Sequence, residues 1–318
     1  MRALSDRHGR RNVTLIALGL AAVLIAGGAA LVAARSDRGP DTSGPNSTPA
    51  SRLEPYRGLA TWVDLFDARA WADPAASVSD MAGHGVRTVF VETANAASTS
   101  GLVHPAELAA FVAEAHARHM YVVAWYLPNL RAGSADFDRV MQAIDFKTTD
   151  GQTFDSFALD IEATVVKPVS LRNQGLTTLS QQIRARVGPD YALGAIIPSP
   201  VGISTKKGFW SDFPYAMLAT TYDVFLPMHY YSFSSHSAAD PHASTLANMS
   251  VLRAQPGCSG VPVHMIGGIA GDSSVAQVKQ FVRAAREAGC VGASLYDRAG
   301  MNPARWREMA AVNTSATP

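Results

Sequence analysis

Residues 154–162 read Phe154-Asp155-Ser156-Phe157-Ala158-Leu159-Asp160-Ile161-Glu162, an apolar run that closes on two carboxylates. Successive side chains of a β-strand leave on opposite faces, so residues two apart share a face. Asp160 and Glu162 therefore point the same way at the end of one strand. A longer, more polar stretch follows, and an order of strand and then helix recurs along the chain.

Working outward, strand patterns fall at 58–64, 86–92, 120–126, 154–160, 192–197, 222–228, 261–267 and 291–296. Between most of them apolar residues recur at helical spacing, as in Leu108, Phe111, Val112 and Ala115, or Val275, Val278, Val282 and Ala285. Gly85, Gly188 and Gly289 stand where a left-handed helix cap would precede the next strand. Strands that alternate with helices build a parallel sheet through right-handed crossovers. Eight such units across residues 56–312 predict a closed (β/α)8 TIM barrel. An open doubly wound sheet is disfavoured, because no Gly-x-Gly-x-x-Gly follows the first strand.

Ahead of the barrel, residues 1–12 form a basic leader, and residues 14–34 run without a charge inside an apolar segment at 13–35. A bilayer needs about 20 apolar residues. The expectation is a single-pass anchor with its N-terminus in the cytoplasm and the barrel outside, or a secreted protein if the segment is a cleaved signal peptide. Residues 36–55, rich in Pro, Ser, Thr and Gly, read as a disordered linker, and 313–318 as a frayed tail. Export suggests that Cys258 and Cys290, each just before one of the last two strands, form a disulfide.

The formal net charge of +1 argues against nucleic acid as a partner. No P-loop, Cys-x-x-Cys or Gly-x-Ser-x-Gly appears, so no cofactor is expected. Barrel chemistry lies at strand C-termini and in the loops that follow. That rule selects Trp62 and Asp64, Glu92, Trp125 and Tyr126, Asp160 and Glu162, Pro198, His229, Tyr230 and Tyr231, His264, Tyr296 and Asp297. Arg172 and Asn173 are read as a polar loop behind the acidic pair, in contact with substrate or merely with solvent, and Arg172 is taken as a substrate-binding candidate. Sugar rings stack on aromatic faces and glycosidic cleavage uses carboxyl groups, so this mixture suits a polysaccharide or oligosaccharide. Two close carboxylates repel, which raises one pKa as a general acid requires. A metal site built from His229, His264 and the acidic pair is not expected. Its ligands are scattered, and His229 alternates with Met228 and Tyr230, which turns it toward the helix layer.

The segment 154–162 resembles the strand-four signature of glycoside hydrolase family 18, chitinases and relatives, which reads Asp-x-x-Asp-x-Asp-x-Glu. Asp155, Asp160 and Glu162 match it, and Ala158 replaces its second Asp. Met228-His229-Tyr230-Tyr231 is similar to that family's Met-x-Tyr-Asp, with Tyr231 in place of the Asp. An Asp-x-Glu on strand four with Asp64 on strand one is similar, more loosely, to family 25 lysozymes. By this resemblance Glu162 would protonate the glycosidic oxygen, Asp160 would orient a substrate N-acetyl group and Tyr230 would steady it. The leading expectation is an extracytoplasmic glycoside hydrolase of an envelope or extracellular polysaccharide. A non-catalytic glycan-binding barrel and a metal-dependent isomerase or hydrolase are the alternatives.

Overall fold

Eight parallel strands close on themselves in sequence order. The structure, a computed structural model, describes residues 51–233 and 240–313. The basic leader, the apolar run at 14–34, the linker up to residue 50 and residues 314–318 lie outside the described residues. Among the described residues no helix is long and apolar enough to cross a membrane.

The strands are β1 (Gly58–Val63), β2 (Thr88–Asn95), β3 (Tyr121–Leu127), β4 (Ser156–Asp160), β5 (Leu193–Pro198), β6 (Val224–Met228), β7 (His264–Ile269) and β8 (Gly292–Tyr296). Each overlaps its sequence-based counterpart. The ring closes where Gly58 pairs with Gly292 and Leu59 with Ala293.

Among the described residues ten α-helices wrap the barrel. They are α1 (Ala68–Ala72) and α2 (Pro74–Gly83) after β1, α3 (Pro105–His116) after β2, α4 (Asp136–Ile144) after β3 and α5 (Val169–Val187) after β4. Then come α6 (Pro200–Thr205) and α7 (Tyr215–Thr221) after β5, α8 (Pro241–Arg253), α9 (Val275–Glu287) and α10 (Pro303–Met309). Their starts are set locally. Asp73, Ser199, Asp240, Ser274 and Asn302 each accept a first-turn amide that has no partner within its helix. Gly188 ends α5 at φ 75°, a conformation an L side chain resists.

Period-two alternation divides the apolar residues into two cores. Ala60, Trp62, Phe90, Val123, Trp125, Ala158, Ile196, Leu226 and Ile266 fill the lumen. Their neighbours Leu59, Val63, Val89, Val91, Phe157 and Leu159 pack outward against the helices. Fully burying one such side chain stabilises the fold by about 1.5–3 kcal/mol.

Both edges of the barrel extend further than the sequence suggests. The linker ends earlier than residue 55, because Ser51–Tyr56 forms a 3-10 turn. Tyr56 is fully buried and donates its hydroxyl to the Phe157 carbonyl at 3.0 Å, which closes the lumen from below. At the other end Asn313 is not frayed. Its Oδ1 accepts from Leu59 N at 2.8 Å and its Nδ2 donates to Gly85 O at 2.7 Å.

The expected disulfide is corrected: Cys258 and Cys290 are both free thiols. Cys258 sits in the turn after α8, where its Sγ points back to the Pro256 carbonyl at 3.6 Å. Burial pushes Cys258 up to about 11 and Cys290 up to about 12, so the reactive thiolate is scarce near neutral pH.

Candidate active site

The C-terminal mouth of the barrel gathers five carboxyl groups from four strands. Asp64 follows β1. Its Oδ1 accepts from Phe66 N at 2.9 Å and its Oδ2 accepts from the Tyr296 hydroxyl at 2.6 Å. Glu92 comes from β2 and is 3% exposed. It accepts from Leu65 N at 3.0 Å and from Asn95 Nδ2 at 3.3 Å. Burial pushes Glu92 up to about 7 and the charges of Asp64 and Glu162 add to the rise, against the two donors.

Asp160 closes β4 from inside the lumen, and its Oδ1 is buried with no hydrogen-bond partner. Burial, and then the charges of Glu162 and Glu92, hold its carboxyl well above the usual range. Glu162 lies two residues further on, half-buried, and burial raises it too. Asp297 follows β8 and accepts from Gly300 N at 2.9 Å; burial raises it first, then the charge of Asp64.

Tyr230 and Tyr296 stand among these groups with ring centroids 6.0 Å apart. The Tyr230 phenol is raised by burial and then by the charges of Glu162, Asp160, Asp297 and Asp64, which places it within electrostatic reach of four of the carboxyls. Arg298, next to this group, is committed elsewhere. Its guanidinium donates two bonds to buried Asp67, Nε to Oδ2 at 2.9 Å and Nη2 to Oδ1 at 2.8 Å. Burial and crowding raise Glu92, Asp160, Glu162 and Asp297 together, which suits general acid chemistry.

Seven expected site residues thus come together: Asp64, Glu92, Asp160, Glu162, Tyr230, Tyr296 and Asp297. Two more lie beneath them as floor. Trp62 stacks on Phe90 at 4.3 Å and 12° and donates its indole N–H to Ser294 at 2.8 Å. Trp125 packs edge-on against Trp62 at 5.9 Å, with its indole N–H buried and unpartnered. At 2% and 5% exposure neither ring offers a face to a ligand from solution.

Three expected substrate contacts are corrected. Tyr126 alternates with inward Trp125 and so faces the helices, where its hydroxyl donates to Asp136 at 2.8 Å. Tyr231 alternates with Tyr230 and lies buried in the outer layer, 5.8 Å from the Phe281 ring. Arg172 belongs to α5 rather than to a loop. Its guanidinium donates to Val166 O and Phe209 O, both at 3.0 Å, and lies 4.5 Å over the Trp210 ring. Asn173 is held too, accepting from the Trp210 indole at 2.7 Å.

His229 faces the helix layer as its alternation implies, within 3.2 Å of Thr245 Oγ1. His264 opens β7 instead of closing it and so lies at the bottom of the lumen, bound to Tyr56 O at 2.8 Å. Burial lowers both imidazoles to about 4. Among the described residues no group of three or more His, Cys, Asp or Glu is arranged to hold a metal ion. Sequence reasoning missed the Asp67–Arg298 pair. Its members stand 231 positions apart, and only closure of the ring makes them neighbours.

No family model and no curated protein sequence matches the chain. Solved structures match its fold. The endo-β-1,4-mannanase from Thermotoga petrophila aligns with a TM-score of 0.60 at 11% identity, covering 84% of this chain and 79% of that one. A chitinase from Chromobacterium violaceum gives 0.55 at 12%, covering 81% and 99%. The Bacillus cereus spore cortex-lytic enzyme SleL gives 0.55 at 11%, covering 80% and 73%. At such identities the likeness is one of fold, and the fold is a TIM barrel.

Proposed function

We propose that this chain is a glycoside hydrolase acting on a polysaccharide or oligosaccharide, with Glu162 as general acid and Asp160 assisting. The observation that carries the reading is the buried Asp160 carboxyl, whose Oδ1 has no hydrogen-bond partner, raised by burial and by the charges of Glu162 and Glu92. Burial raises both carboxyls, and the charge of Glu162 adds to the rise at Asp160. Glu162 is the more exposed member and delivers the proton to a glycosidic oxygen, while Asp160 orients the bond or the group beside it. Asp64, pinned by Phe66 N and the Tyr296 hydroxyl, supplies a positioned carboxyl elsewhere on the mouth. The uncharged run at 14–34 supports action outside the cytoplasm, on an envelope or extracellular glycan.

A non-catalytic glycan-binding barrel is the second reading. It is favoured by Ala158 and Tyr231, which stand where the resembled family keeps Asp, and by the outward turn of Tyr231. One experiment separates the two. Reducing-end release by the full-length protein is followed on mannan, chitin oligomers and peptidoglycan, beside Glu162→Gln. Activity lost in the variant with binding kept supports the hydrolase. Equal activity in both proteins removes Glu162 as the acid, and binding without turnover in either favours the second reading.

A further inference from the structure

With Trp62 and Trp125 sealed into the floor, the mouth needs another apolar surface if it is to hold a sugar ring. Among the described residues the exposed large apolar side chains are Phe66 at 71%, Leu171 at 54% and Val275 at 38%. All three follow strand ends on the carboxylate side of the barrel. Phe66 comes three residues after β1, while Leu171 and Val275 lie in the first turns of α5 and α9. Scattered exposed apolar residues are ordinary on a protein surface. A set confined to the face that carries the carboxyl cluster is less so.

The backbone around Phe66 adds a second observation. Leu65 N donates to Glu92, Phe66 N to Asp64 Oδ1 and Asp67 N to the Asp64 carbonyl, while Ala68 N donates to the Phe66 carbonyl at 2.8 Å. The Trp71 indole also donates to the Asp64 carbonyl, at 2.7 Å. Asp67 is then clamped by the two bonds from Arg298. Every amide from 65 to 68 is thus satisfied within a rigid turn, two of them by carboxyls of the site itself. The backbone from which this ring projects into water is fixed relative to Asp64 before any ligand arrives. Only the two side-chain torsions of the ring remain to be ordered on binding, which is a small penalty for an aromatic residue.

We infer that Phe66 is a stacking platform for one pyranose ring of a glycan chain, one or more units away from the bond addressed by Glu162. The inference rests on the glycan reading above and extends it to a chain-like substrate that crosses the rim beside Asp64. The apolar faces of pyranose C–H groups match an exposed phenyl ring, whereas a small anionic ligand would gain nothing from its face. The site would therefore favour oligomers long enough to reach both the carboxyls and the rim.

The test uses the full-length protein with β-1,4-linked mannose and N-acetylglucosamine oligomers, from disaccharide to hexasaccharide. Affinity is measured in the Glu162→Gln background and KM in the active one. Phe66→Ala should weaken binding and raise KM for the longest bound oligomer by about tenfold, with a much smaller change for the shortest. Phe66→Trp should restore the long-chain affinity. Such a dependence on chain length is not produced by general damage to the fold, and the exposed ring makes folding failure a minor risk. Equal affinities of Phe66→Ala and the parent at every length would overturn the platform while leaving the hydrolase reading intact. No binding or turnover of any glycan by the unaltered protein would overturn both.

Discussion

The Tyr296 hydroxyl donates a 2.6 Å hydrogen bond to Asp64 Oδ2, tying the end of the last strand to the end of the first across 232 positions of sequence. Asp64 is thereby held from two sides, since its other oxygen accepts from Phe66 N. Tyr296→Phe removes one of these restraints and keeps the ring. The expected result is a fall in kcat of about tenfold, with a stability loss of about 1–2 kcal/mol. Steady-state kinetics and urea unfolding of the same sample check both parts, and an unaltered kcat would show that Asp64 needs no such restraint.

Stability should fall as pH rises through neutrality. Burial moves Glu92 from the ordinary value of 4.5 up to about 7. Between those values the folded protein keeps a proton that the unfolded chain has released. The stabilisation from this group is thus complete below the unfolded value and lost as pH passes the folded one. Asp160 and Glu162 are also raised and act in the same direction. Glu92→Gln should narrow the stability difference between about pH 5 and about pH 8 by on the order of 3 kcal/mol. Urea midpoints at the two pH values read this directly, and an unchanged gap would remove Glu92 as its source.

The ion pair beneath the mouth should be intolerant of losing one partner. The Arg298 and Asp67 side chains are 8% and 2% exposed and share two hydrogen bonds. Arg298→Met strands a buried carboxylate and should cost about 3–5 kcal/mol. Adding Asp67→Leu should recover part of that, because the double variant leaves no unpaired charge. A single variant as stable as the parent would mean that water reaches Asp67.

Both thiols should alkylate in denaturant without any reductant, adding two labels by mass. In the native state labelling near neutral pH should be slow, because burial holds Cys258 near 11 and Cys290 near 12. Absence of label until reductant is added would instead reveal a disulfide.

The alternation of strand and helix patterns determined the barrel, because each strand and each cap is decided by residues a few positions apart. The same local period placed Asp160 and Glu162 on one face, and barrel geometry put that face at the mouth. His229 was legible for the same reason, since it alternates with Met228 and Tyr230. Tyr126 and Tyr231 obey the same alternation, but the strand-end rule took both neighbours of each pair together. A parallel barrel strand is buried on both faces, so its apolar pattern does not mark which side is lumen and which is helix layer. Arg172 was misplaced because a polar stretch reads alike as loop or as helix, until Trp210 and the carbonyls of Val166 and Phe209 close around it. The hold of Tyr296 on Asp64, the Asp67–Arg298 clamp and the raised Glu92 depend on ring closure and burial. Those are properties of the folded whole, set by contacts hundreds of positions apart and by the exclusion of water, and tertiary structure alone decided them.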